Sequence, residues 1–196
     1  MDRIASKIES ILFVAGEPVL LSELCRGLEL TDGELKQKLF ELQLSYEAED
    51  RAVALFYSSV YGDTASVVDA LAGKLAEKGI RDIRIYDVSN TDISDMIAEM
   101  FRVSTIVLAA TTYNAGIFPK MENLIADMKA LQVQKRKVAL IENGSWAPMS
   151  GKKMKEELEG MKEMQILEPA VTVRSAMKAS QEAELDALAG AIAGSI

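Results

Sequence analysis

Histidine is absent from the 196 residues of this chain. Its absence excludes a Ser-His-Asp or Cys-His nucleophile and any imidazole ligand for zinc or iron. Cysteine is almost absent as well, since Cys25 stands alone. A single thiol closes no intramolecular disulfide and builds no four-cysteine metal site, and such sparing use fits a reducing compartment. No uninterrupted apolar run approaches the roughly 20 residues that span a bilayer. The opening residues MDRIASKIES carry neither the apolar core nor the cleavage site of a secretory signal. A cytoplasmic location is therefore expected. Carboxylates could hold magnesium, but no clustered acidic motif calls for it, so no metal site is assigned. Basic residues are in deficit, with 22 Lys and Arg against 30 Asp and Glu. The net charge of -8 argues against nucleic acid and anionic membranes as partners. No catalytic side-chain set emerges, so redox chemistry would need an organic cofactor.

What remains is ample for a packed core. The chain is 49% hydrophobic with a mean hydropathy of +0.08. Two regions differ in pattern. Residues 1–50 read as three short helices. Ile4, Ile8, Ile11 and Leu12 share one helical face, and Gly16-Glu17-Pro18 breaks the chain. Leu21, Leu24 and Leu28 mark a second helix. Thr31 to Glu34 has capping-box spacing and opens a third helix, carrying Leu35, Leu39 and Leu42, that is expected to run to about Glu49. The charged junction 47–51 is expected to be helical or a tight turn.

Residues 51–196 alternate strands and helices. The strands are expected at 52–57, 83–86, 105–110, 138–141 and 170–173. The helices are expected at about 67–75, 93–101, 119–131, 152–161 and 181–193. This alternation implies an α/β fold: a doubly wound, five-stranded parallel sheet in the order 2-1-3-4-5, with a small N-terminal all-α extension. In that order a ligand sits at the carboxyl ends of the first and third strands.

Three loops would meet there. The first, Ser58 to Thr64, follows the first strand and opens a helix. Its small hydroxyl residues and Gly62 let backbone N–H groups surround a phosphate, and the helix N-terminus adds partial positive charge. Its spacing fits neither a Walker loop nor a GxGxxG fingerprint. Asp63 would repel a phosphate if it pointed inward, so it is expected to cap outward and offer only its amide. The bland alternative for this loop is plain helix capping by Asp63 or Thr64. The second loop, Thr111 to Pro119, offers polar donors and Tyr113 to a planar heterocycle; alternatively it is a simple turn. The third, Glu142 to Gly151, holds the chain's single Trp, Trp146, in a Gly/Ser/Pro-rich setting.

These three elements, S-x-Y-G-x-T (Ser59–Thr64), TTYN-x-G-x-F-P (Thr111–Pro119) and NGSW (Asn143–Trp146), resemble in order and spacing the flavodoxin-like domain of the A-type flavoproteins, the flavodiiron family. The resemblance covers about residues 52–196. It implies FMN as cofactor. Ser59, Val60, Tyr61, Gly62, Asp63 and Thr64 would hold the phosphate. Thr111, Thr112, Tyr113, Asn114 and Gly116 would contact the ring, and Asn143, Gly144, Ser145 and Trp146 would close over it. The implied function is electron transfer between redox donor and acceptor proteins, without the diiron oxidase part, whose His ligands this chain lacks. Two alternatives stay open: a small NAD(P)H-dependent flavin or quinone reductase, and a non-catalytic interaction module.

Lys7 to Pro18 and the helices to Arg51 resemble the start of segregation and condensation protein B, a family of winged-helix domains. The wing strands would be replaced here by the first strand of the sheet. Residues 1–50 carry five basic side chains against eleven acidic ones, which argues against DNA binding. The trunk then reads as a helical cap, a contact in a homodimer, or a partner-binding element.

Overall fold

The computed structural model describes residues 3–15, 19–45 and 49–196. The chain divides into two compact units, Met1–Glu47 and Ala48–Ile196. The first holds three helices, α1 (Arg3–Ala15), α2 (Leu21–Leu28) and α3 (Asp32–Ser45). Buried Ile8, Leu24 and Leu35, one from each helix, form its small core. The expected capping box is present. The Thr31 amide donates to Glu34 Oε2 at 2.9 Å, and the Glu34 amide donates to Thr31 Oγ1 at 3.3 Å. The break expected at Gly16-Glu17-Pro18 lies outside the described residues.

The third helix stops short of Glu49, the end its pattern suggests. Its described part runs to Ser45, residues 46–48 lie outside the described residues, and β1 (Glu49–Ser58) begins where helix or a tight turn was expected. The reason is tertiary: Glu49 pairs with Val103 of β3 (Val103–Tyr113), a contact invisible to local propensity. β1 enters the large sheet rather than a wing hairpin, pairing with β3 on one side and β2 (Asp82–Asp87) on the other.

The second unit alternates as expected. After β1 come α4 (Asp63–Glu77), β2, α5 (Ile93–Arg102), β3, a short β4 (Gly116–Ile117), α6 (Pro119–Ala130), β5 (Lys137–Asn143), α7 (Ser150–Glu159), β6 (Gln165–Ile166), β7 (Val171–Val173) and α8 (Glu182–Ser195). The order is β2-β1-β3-β5, with β6 and β7 both pairing parallel to β5. The fifth strand of the expected 2-1-3-4-5 order is thus present in two pieces. Pro169 lies in the gap between them and has no N–H for a continuous ladder. β4 is a two-residue antiparallel return on β3 that periodicity did not reveal.

The central strands are apolar on both faces because both faces are covered. Ala52, Ala54 and Phe56 of β1 join Ile106, Leu108 and Leu140 in a core under α5, α6 and α7. Val53 and Leu55 join Val107, Ala139 and Ile141 in a second core under α4 and α8. Each fully buried Leu, Ile or Phe contributes about 1.5–3 kcal/mol. With both faces filled, the end of the sheet at the strand carboxyl termini is left to the loops.

Candidate cofactor site

Four loops meet beyond the carboxyl ends of β1, β3, β5 and β7, and hydrogen bonds join each to the next. Thr64 Oγ1 and Thr111 Oγ1, 3.0 Å apart, link the first loop to the second. Thr111 Oγ1 also donates to the Ser58 carbonyl at 3.3 Å. Thr112 links the second loop to the third: its Oγ1 accepts the amides of Met149 at 2.9 Å and Ser150 at 3.1 Å. That hydroxyl caps α7 in place of a neighbouring residue. Asn143 links the third loop to a fourth. Its Nδ2 donates to the Ser175 carbonyl at 3.0 Å, and its Oδ1 accepts the Ser175 amide at 3.0 Å. Ser145 Oγ and Ser175 Oγ are 3.2 Å apart.

Local geometry follows from residue choice. Gly62 is the N-cap of α4 at φ +94°, a conformation costly for any side chain. Its amide donates to Ser59 Oγ at 3.0 Å, and its carbonyl accepts the Ser66 amide. The amides of Asp63, Thr64 and Ala65, in the first turn, have no intrahelical acceptor. Asp63 makes no capping hydrogen bond, contrary to the expected outward cap, because Gly62 already ends the helix. The second loop turns at Asn114 (φ +48°) and Ala115 (φ +58°), a two-residue hairpin between β3 and β4. Such turns favour Asn-Gly. Ala115→Gly is therefore expected to stabilise the unit by about 1 kcal/mol, raising Tm by roughly 3 °C in a thermal melt.

The loops enclose a cavity of about 330 Å³. Of the residues expected to bind the cofactor, Ser59, Val60, Tyr61, Asp63, Thr64, Thr111, Thr112, Tyr113, Asn143, Gly144 and Ser145 line it. Gly62, Asn114, Gly116 and Trp146 do not, although they belong to the same loops. Phe118 and Ser175 line it and were missed by sequence reasoning. Phe118 stood inside a motif already recognised, packed edge-on to Tyr113 with centroids 6.2 Å apart. Ser175 had no signal, as its loop matches no motif.

Among the described residues no Lys or Arg lines the cavity, and Asp63 is its one formal charge. Around it stand apolar and aromatic side chains in water: Tyr61 is 93% exposed, Trp146 94% and Tyr113 49%. Large apolar groups left uncovered at a cleft mark a binding surface.

A doubly wound parallel sheet with a cleft where the strand order reverses defines the class of open α/β folds, whose ligands bind at that point. The chain belongs to the flavodoxin domain family, whose model matches residues 54–191. It is 25% identical over 114 residues to an anaerobic nitric oxide reductase flavorubredoxin of Escherichia coli, a match covering 56% of this chain and 24% of that protein. The chain thus spans about a quarter of the length of such curated relatives. The fold resembles that of rubredoxin oxygen:oxidoreductase from Desulfovibrio gigas (TM-score 0.73, 19% identity, 88% of this chain and 40% of that one). It also resembles a flavodoxin from the domain Archaea (TM-score 0.64, 17% identity, 73% of this chain and 96% of that one). The family match leaves residues 4–51 outside it and lends no support to their likeness to segregation and condensation protein B. No helix among the described residues is long and apolar enough to cross a membrane.

Proposed function

We propose that the second unit binds one FMN in the four-loop cavity and passes single electrons between protein partners in the cytoplasm. The observation that carries this reading is the donor set. A phosphate needs N–H and O–H donors, and the open first turn of α4 with Ser59 and Thr64 supplies them without a base. A flat heterocycle needs apolar walls and a few polar contacts, and Tyr113, Phe118 and Val60 beside Asn143 and Ser145 supply those. The residues present therefore fit the group. When bound, the flavin supplies the redox-active ring.

The chain's own part is to hold and orient that ring. Thr64, Thr111, Thr112 and Asn143 fix the loops to one another, so the walls are set before binding. Asp63 is the one ionisable side chain among the lining residues apart from the tyrosines. Electron transfer through the bound ring asks for no side-chain acid or base, so holding and orienting the ring is the whole of the chain's part. The exposed rim of Tyr61, Tyr113 and Trp146 is the surface a redox partner would meet.

Titration with FMN tests this directly. Trp146 is the chain's only Trp and is almost fully exposed, so its emission reports on the rim. Saturable quenching of both Trp146 and flavin fluorescence at one equivalent is expected. Absence of flavin binding at large excess overturns the reading.

A further inference from the structure

One residue lining the cavity carries a charge that opposes the ligand the rest of the site invites. Asp63 is the first residue of α4, lies between Gly62 and Thr64, and lines the cavity with both Ser59 and Thr64. It is half-buried, and no capping bond or ion pair holds its carboxylate among the described residues. No cation lines the cavity to offset it. Arg174, which precedes Ser175 on the fourth loop, is exposed and does not line the cavity. A phosphate dianion held by the amides of α4 would therefore sit beside an uncompensated carboxylate.

We propose that Asp63 is the specificity-determining residue of this site, weakening the hold on the phosphate dianion so that FMN and its dephosphorylated form, riboflavin, bind with similar affinity. The inference rests on the flavin reading given above. The ring walls and the isoalloxazine-facing polar groups are the same for both ligands. Asp63 shares the first turn of α4 with the amides assigned to the phosphate, so its charge acts on the difference between the two ligands. A unit charge beside a dianion at a half-wet surface shifts binding by about tenfold. The first-turn amides of α4 act in the opposite direction and keep FMN from being excluded.

The test is paired titration of the full chain with FMN and with riboflavin, for the wild type and for Asp63→Asn. The wild type is expected to hold the two within about tenfold of each other, because attraction by the α4 amides and repulsion by Asp63 largely offset. Asp63→Asn is expected to tighten FMN by about tenfold and leave riboflavin unchanged. Asp63→Ser serves as a second variant, since Ser is at ease in the first turn of a helix. A wild type that prefers FMN by more than about tenfold overturns the proposal without any variant. So does an Asp63→Asn chain in which FMN binding is unchanged, or in which both ligands shift alike; in these cases the flavin reading survives. Failure of wild type and variants to bind either ligand overturns both.

Discussion

Gly144→Ala is expected to weaken FMN binding by about a hundredfold while leaving the sheet folded. A Cβ on Gly144 would stand 3.0 Å from Pro148 Cα, 3.2 Å from the Pro148 nitrogen and 3.1 Å from Thr112 Oγ1. Two of these atoms are backbone and cannot rotate away. The third is the hydroxyl that accepts the amides of Met149 and Ser150, so moving it uncaps α7. The added methyl must therefore push the third loop off the second, and the cavity lies between them. Overpacking of this kind costs about 1–3 kcal/mol, and at this position the displacement falls on the ligand walls. The check is an FMN titration beside far-UV circular dichroism. Unchanged affinity would show that the third loop is not a wall of the binding site. A lost sheet signal would show that Gly144 serves the fold and not the loop alone.

The contacts around Gly144 show where sequence reading stops. The strands were legible because burial on both faces makes them apolar without interruption, as at Ala52 to Phe56 and Val138 to Ile141. The loops were legible because phosphate and planar rings require small, polar, backbone-exposing residues at the strand ends. What could not be read was the use made of particular side chains. Thr112 looked like a ring contact, yet its hydroxyl caps a helix 37 residues away in sequence. Asn143 looked like part of a lid, and its amide instead pairs with the backbone of Ser175, 32 residues on. Asp63 looked like a cap, but Gly62 had already taken that place.

The same holds at element boundaries. β6 is two residues long, too short for any period to register, and exists because Gln165 and Ile166 lie beside Lys137 and Val138. The Glu49–Arg51 segment carries charge that suits a helix, but the register of β1 on β3 draws it into the sheet. By contrast, the Thr31–Glu34 capping box was legible because both of its bonds close within four residues. Local chemistry survives translation from sequence to structure; pairing across the fold does not.

Arg136→Met should cost the second unit about 3 kcal/mol of stability. Arg136 is buried, and no carboxylate answers it among the bonds it makes. Its guanidinium donates to four backbone carbonyls: Met100 at 2.7 Å, Gln134 at 2.8 Å, Phe101 at 3.0 Å and Lys135 at 3.2 Å. Two of these close the C-terminal end of α5, where cations are favoured, and two hold the turn into β5. Burial pushes its pKa down, yet a guanidinium stays charged at neutral pH, so these four bonds are kept. Met fills a similar volume but leaves four carbonyls, in one buried and three part-buried bonds, short of a donor. Lys brings one point charge without the planar fork, so Arg136→Lys should recover less than half of the loss. Urea unfolding followed by far-UV circular dichroism measures both. A midpoint for Arg136→Met that stays at the wild-type value, with unchanged slope, would mean the carbonyls find other partners and the clamp is dispensable. If Arg136→Lys matches the wild type instead, charge at the end of α5 matters and the fork does not.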